Sequence, residues 1–333
     1  MAPAFFQKGK GQLINIAVGL LKSARPRQWL KNFAVFAALI FSGQLFIPET
    51  FLLAIITFLI FCALSSAMYL VNDVIDIPRD LLHPFKSKRP IARGIVPAKL
   101  ALTTALILTI GALFTSSLFG PFLAFMAVIF VILQLLYTFW IKNIILLDVM
   151  TIAATFILRV LAGAIAINAK VTVWFLLAVS SLALFLAVGK RRSERTILAG
   201  ELAAKHRGTL LHYPDTLLDS LTIMFATASW FAYTMFTFLE PIPRVSPTVL
   251  ILLGELLPRA FIASKLLMIS VPLVIYGIMR YLFIIYERKE GESPEVVLLS
   301  DKPLLATVIL WVLIVIGVIY GQFLLESFTS FRL

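Results

Sequence analysis

The residues best suited to chemistry lie between Asn72 and Gly94, in the stretch NDVIDIPRDLLHPFKSKRPIARG. Three carboxylates, Asp73, Asp76 and Asp80, recur at spacings of three and four, which stacks them on one face if the segment is helical. Asn72 precedes the first, and Arg79, Lys86, Lys88, Arg89 and Arg93 lie among and after them. Carboxylate oxygens at helical spacing suit a hard cation such as Mg²⁺, which keeps several waters and bridges to substrate phosphates. The basic residues suit the phosphates that such a metal would carry. Asp73, Asp76 and Asp80 are therefore candidate metal ligands and, with Asn72, candidate catalytic residues.

Charged residues inside or at the ends of apolar spans are costly and usually functional, and that filter selects further groups. One is Tyr137 and Lys142, followed by Asp148 and Arg159. The last two are about three helical turns apart, so they share a helix face without touching. Asp148 is the better candidate for contact with substrate or metal; Arg159, nearer mid-membrane, is equally suited to bracing the bundle. Another is the run Lys190-Arg-Arg-Ser-Glu-Arg195. It reads either as a topological signal or as a phosphate clamp in which Glu194 orients an arginine or touches the metal shell, with Lys190 and Arg191 as the cations. The segment RPRQWLKN places the cations Arg25, Arg27 and Lys31 at the mouth of the first span, where they could reach an anionic ligand in the interface. The last group is Arg280-Tyr281 near the inner end of the eighth span, read either as a functional pair or as an arginine snorkelling to the interface.

These groups sit in a chain whose mean hydropathy is +1.00, with 61% hydrophobic and 14% charged residues. Soluble domains carry about a quarter charged residues, so the chain is a polytopic membrane protein. A lone cysteine, Cys62, gives no disulfide framework, and His83, His206 and His212 are too dispersed for a transition-metal cluster. The net charge of +12 is gathered between spans, which points to topology and phosphate ligands and away from nucleic acid. By the ruler of about 20 apolar residues per crossing, nine spans are predicted: 30–47, 51–72, 98–119, 121–140, 144–168, 171–189, 217–239, 262–286 and 303–326. Residues 1–29 read as a basic cytoplasmic leader without a cleavable signal, and 30–333 as one transmembrane catalytic domain. The distribution of lysine and arginine puts the leader, the 73–97 loop, Lys142 and the 190–207 loop on the cytoplasmic side, with the C-terminus outside. The mildly acidic 287–302 loop supports this least, and 240–261 reads as a surface or re-entrant piece.

NDVIDIPRD resembles the first aspartate-rich motif, NDxxDxxxD, of the UbiA superfamily of intramembrane prenyltransferases. The likeness in span count and loop placement covers essentially the whole chain. It implies an all-α integral membrane protein: nine helices around a cavity open to the cytoplasmic side, with a Mg²⁺-bound diphosphate under cytoplasmic loops. Ordinary members carry a second aspartate-rich motif after the sixth span, where this chain has the basic GKRRSERT. Together with RPRQWLKN, HPFKSKRPIARG and LDVMTIAATFILRVLAGA, that departure resembles the decaprenyl-phosphate phosphoribosyltransferase branch.

That branch moves a 5-phosphoribosyl group from phosphoribosyl diphosphate to a polyprenyl phosphate in a prokaryotic inner membrane, towards arabinose-donor lipids of the cell envelope. The resemblance implies that Asp73, Asp76 and Asp80, with Asn72, hold Mg²⁺ on the donor diphosphate. It implies that Lys86, Lys88, Arg89, Lys190 and Arg191 hold the 5-phosphate and the lipid phosphate, with Lys31 and Lys142 in the same cationic shell. Tyr137, Asp148, Arg159 and Glu194 complete the expected substrate-binding set. The main alternative is a conventional UbiA enzyme moving a prenyl group from prenyl diphosphate to an aromatic acceptor. An alternative of another class is a transporter or scaffold for polyprenyl phosphates, against which stand the acid cluster and the lack of an internal repeat.

Overall fold

In lipid, backbone polar groups must be satisfied within the chain, so long apolar runs fold as helices. The computed structural model describes residues 4–81, 86–197, 213–240, 263–288 and 294–330, and every regular element among them is helical. In chain order these are α1 (Ala4–Ala24), a 3₁₀ segment (Pro26–Val35), α2 (Phe36–Phe41), α3 (Pro48–Ile75), α4 (Ile77–Leu81), α5 (Ala98–Leu118), α6 (Pro121–Phe139), α7 (Leu147–Ala166), α8 (Val173–Ile197) and α9 (Asp215–Leu239). Short 3₁₀ turns at Lys86–Lys88 and Ile141–Asn143 lie between these, and a longer 3₁₀ segment (Ala263–Ser270) leads into α10 (Val271–Phe283) and a π-turn (Ile284–Arg288), followed by α11 (Pro294–Ser300) and α12 (Lys302–Ser330). The starts are where proline is tolerated. Pro48 and Pro121 open α3 and α6, where the missing N–H has no intrahelical partner to lose.

Among the described residues, eight helices are long and apolar enough to cross a membrane. The span expected at 30–47 takes a different form. Its first part winds as 3₁₀ helix, α2 runs only from Phe36 to Phe41, and Gly43 turns the chain with φ 72°. The cause is close packing. A Cβ on Gly163 of α7 would lie 2.0 Å from the Val35 carbonyl oxygen, so the 3₁₀ backbone rests directly on α7. Asn32, fully buried in that segment, donates to Cys62 Sγ at 3.2 Å and accepts from Arg159 Nε at 2.6 Å. Hydropathy carries no information on such a close approach.

Two of the clusters that make up the core pack between the spans. Phe61 and Leu64 of α3 meet Leu123 and Phe130 of α6 and Ala162 of α7. Phe175 of α8, Tyr233 and Phe236 of α9 and Val315 of α12 form the other. Side chains such as Ile107, Phe114 and Phe122 point outward, as suits a surface solvated by acyl chains. The charged segments meet at one end of the bundle. Asp76 pairs with Lys142, Arg192 with Asp219, and Lys31 with Glu295. There Arg280 makes a two-pronged pair with Asp301, at 3.0 and 2.8 Å, while Asp301 Oδ1 also accepts the Leu304 N–H at 2.9 Å and so caps α12. His83, His206 and His212, and all of 240–261 except Glu240, lie outside the described residues.

Candidate active site

The acid cluster forms where α3 gives out. Asp76 ends that helix, its N–H bonded to the Asn72 carbonyl at 2.9 Å, and α4 resumes at once, with the Asp80 N–H on the Asp76 carbonyl at 2.8 Å. The near-continuous winding keeps the three acids on neighbouring turns, as their spacing predicts. Asp73 and Asp80 are buried, and Asp76 is half-buried. Arg89 Nη1 contacts both Asp73 Oδ1, at 3.0 Å, and Asp80 Oδ2, at 2.6 Å. Arg25 also pairs with Asp73 Oδ1. Lys142 Nζ reaches Asp76 Oδ1 at 3.0 Å, and Asn72 Nδ2 donates to Asp76 Oδ2 at the same distance.

Among the described residues no three metal-ligating side chains are gathered about one point; the carboxylates are held by cations instead. Their chemistry fits a hard divalent ion all the same. Asp73 and Asp80 converge on a single guanidinium nitrogen, and all the donors on offer are carboxylate oxygens. Arg89 therefore marks the spot between the buried acids that a bound cation would fill. Asp73, Asp76 and Asp80 are the residues that would hold one.

Arg25 is a site residue that the sequence reading left out of its candidate set. It sits in a left-handed turn (φ 54°) immediately before Pro26, and its guanidinium lies 4.8 Å from the centre of the Tyr69 ring. Two signals mark it in the sequence: its place in the cationic RPRQWLKN segment, and the proline after it, which disfavours the α conformation in the residue before it. Of the expected phosphate cations, Lys88 is exposed and Lys86 half-buried on a 3₁₀ turn that precedes Arg89.

A cavity of about 590 Å³ opens inside the bundle, mostly apolar, with Phe156, Phe175 and Trp311 in its wall. Its polar lining includes Lys31, Tyr137, Arg159, Lys190, Tyr281 and Glu295. Of the expected binding residues, Lys31, Tyr137, Arg159 and Lys190 thus face one space. Arg159 is a brace as well as lining: it holds Asn32, the Thr155 carbonyl at 2.6 Å and Ser65 Oγ at 3.4 Å, beneath the Phe130 ring. Lys31 Nζ donates to Gln28 Oε1 at 2.6 Å, and the same oxygen accepts from the Tyr69 hydroxyl at 3.4 Å.

Asp148, Arg191 and Glu194 form a separate knot. Arg191, 1% exposed, places Nε 2.6 Å from Asp148 Oδ2, contacts Glu194 through Nη1 and donates to the Tyr137 hydroxyl at 3.0 Å. The Tyr213 hydroxyl donates to Asp148 Oδ1 at 2.6 Å and accepts the Leu146 N–H at 2.6 Å. Burial, aided by the bond to Asp148, pushes the Tyr213 phenol above its usual value, so it remains a donor. Arg191 reaches the cavity through Tyr137, while Lys190 lines it directly and stands 3.8 Å from Glu194.

The geometry agrees with known proteins. The profile of the UbiA prenyltransferase family matches residues 32–191. The decaprenyl-phosphate phosphoribosyltransferase of Corynebacterium glutamicum is 34% identical over 92% of this chain and 88% of its own length. The protein of the same name from Mycobacterium tuberculosis is 35% identical over 67% of this chain and 75% of its own. Among solved structures, a UbiA homolog from Archaeoglobus fulgidus bound to GPP and Mg²⁺ superposes with a TM-score of 0.66 at 19% identity, covering 90% of this chain and 99% of that one. With that fold, with one relative matched along nearly its whole length, and with the acids of its motif brought together at one end of the bundle, the chain is a membrane-embedded enzyme of the UbiA prenyltransferase family.

Proposed function

We propose that this enzyme transfers the 5-phosphoribosyl group of phosphoribosyl diphosphate to a polyprenyl phosphate of the decaprenyl type, with Mg²⁺, releasing diphosphate and giving polyprenylphosphoryl-5-phosphoribose. The observation that carries this reading is the 34% identity over 92% of the chain to an enzyme named for that reaction. The basic character of the 190–195 segment supports it, since Lys190 faces the cavity where a second acidic motif would otherwise stand.

Bound by Asp73, Asp76 and Asp80, the metal would neutralise the diphosphate as it leaves. The rest falls to the chain's own side chains. Arg25, Arg89 and Lys142, now paired with the acids, are placed to turn to the departing phosphates. Lys31 and Lys190 offer positive charge where the lipid phosphate meets the pentosyl donor. One of its oxygens forms the bond to ribose C1 as the bond from C1 to the diphosphate oxygen breaks. The nucleophile, with a second pKa of about 6, is largely dianionic at neutral pH, so no general base is required. The ribosyl centre gains oxocarbenium character, and fixed charges in a site screened from water stabilise it best. The apolar wall of the cavity suits the isoprenoid chain next to its phosphate. The charged end of the bundle is assigned to the cytoplasmic face of an inner membrane, where a water-soluble sugar diphosphate is supplied; the product serves cell-envelope arabinose donors.

Purified protein in detergent with Mg²⁺ tests the reading. Labelled phosphoribosyl diphosphate is offered with polyprenyl phosphate, and prenyl diphosphate with 4-hydroxybenzoate in parallel. A labelled phosphoribosyl lipid that disappears in Asp73→Ala is the expected result. Transfer in the prenyl reaction alone would overturn it in favour of a conventional prenyltransferase.

A further inference from the structure

Glu295 has no role in the chemistry so far. It lies in α11, within the 287–302 segment whose acidity fits an exposed loop, yet it is 5% exposed and faces the cavity. Its Oε1 has no hydrogen-bond partner, and Oε2 faces Lys31 Nζ, 3.3 Å away, as its cation. Across the same cavity the hydroxyl of Tyr281, a residue 4% exposed, also has no hydrogen-bond partner. Lys190 completes this polar end.

A buried charge without hydrogen bonds is costly, and structures normally supply partners. A buried carboxylate oxygen in want of a donor, beside a phenol in want of an acceptor and two ammonium groups, defines what is missing. The complementary ligand carries hydroxyls for Glu295 and anionic oxygens for Lys31, Lys190 and Tyr281. A sugar phosphate has both. An isoprenoid diphosphate has only the second, and it would press apolar carbon and negative charge against the carboxylate. We infer that Glu295 accepts hydrogen bonds from the hydroxyls of the pentosyl donor and so selects a sugar over an isoprenoid donor. This rests on the phosphoribosyl reading above. A carboxylate that merely ties α11 to Lys31 would have no stake in the hydroxyls.

The test is a kinetic cycle with Mg²⁺ and polyprenyl phosphate, reading kcat/KM for phosphoribosyl diphosphate and for its 2-deoxy and 3-deoxy analogues. Wild type is expected to favour the parent by about 10- to 100-fold over at least one analogue, the scale of a hydrogen bond to a charged group. In Glu295→Ala the parent falls to the level of that analogue, and the preference shrinks to within about 3-fold. Glu295→Gln, which keeps the shape and one acceptor oxygen, gives an intermediate preference and decides the matter if the alanine variant is not recovered folded. A variant that slows all donors equally and keeps the wild-type preference overturns the inference, as does a wild type indifferent to both hydroxyls. A wild type that transfers no phosphoribosyl group at all overturns the functional reading itself, and this inference with it.

Discussion

Asp148→Asn isolates the value of the knot around Arg191. Asp148 and Arg191 are 2% and 1% exposed, and they meet at 2.6 Å. The asparagine keeps the shape and the bond from Tyr213 but removes the charge facing Arg191, which is left with Glu194 and the neutral Tyr137 hydroxyl. Breaking a buried pair by removing one partner typically costs about 3–5 kcal/mol. Because Glu194 remains, the lower end applies, about 3 kcal/mol. At roughly 2 °C per kcal/mol for a chain of this size, the melting temperature in detergent falls by about 6 °C. Tyr213→Phe loses the donor to Asp148 and the acceptor of the Leu146 N–H, about 2 kcal/mol together. The bond from Tyr213 is charge-assisted in wild type and neutral in Asp148→Asn, so the double variant is expected to cost about 1 kcal/mol less than the sum of the two. Melting followed by intrinsic fluorescence reads all four proteins. An Asp148→Asn variant that melts with wild type, or strict additivity in the double variant, would refute the reasoning.

Two other changes probe the packing of the first segment. Gly163→Ala places a methyl group 2.0 Å from the Val35 carbonyl oxygen; backbone cannot yield as a side-chain tip can, so α7 and the 3₁₀ segment must part, and the yield of monodisperse protein is expected to drop severely. Arg159→Met removes the donors to Asn32 and the Thr155 carbonyl, and the fully buried Asn32 is left with an oxygen short of its strongest donor. A loss of about 3 kcal/mol follows, read as a fall in melting temperature of about 6 °C; a variant as stable as wild type would show that Arg159 is lining alone.

The clustering of Asp73, Asp76 and Asp80 was legible because their spacing matches a helix turn and because charge is rare in this chain. The spans were legible because apolar runs of that length leave the backbone little choice but helix. The pairings were not. Arg25 and Asp73 are 48 residues apart, and Lys142 and Asp76 are 66 apart, so no local pattern links them. Glu295 looked like a loop acid because a seven-residue helix is too short for periodicity to reveal its buried side. The 3₁₀ winding of Pro26–Val35 was hidden because it depends on the missing side chain of Gly163, in another helix. Asp148 and Arg159 were predicted to share a face without touching, and they do not meet: one holds Arg191, the other Asn32.

The pair between Arg280 and Asp301 has a mechanical consequence. It fastens the chain just after α11, while Glu295, one residue into that helix, is fastened to Lys31. Tied at both ends, α11 is a lintel over the cavity and not a flap. A doorway with a fixed lintel admits only what fits beneath it.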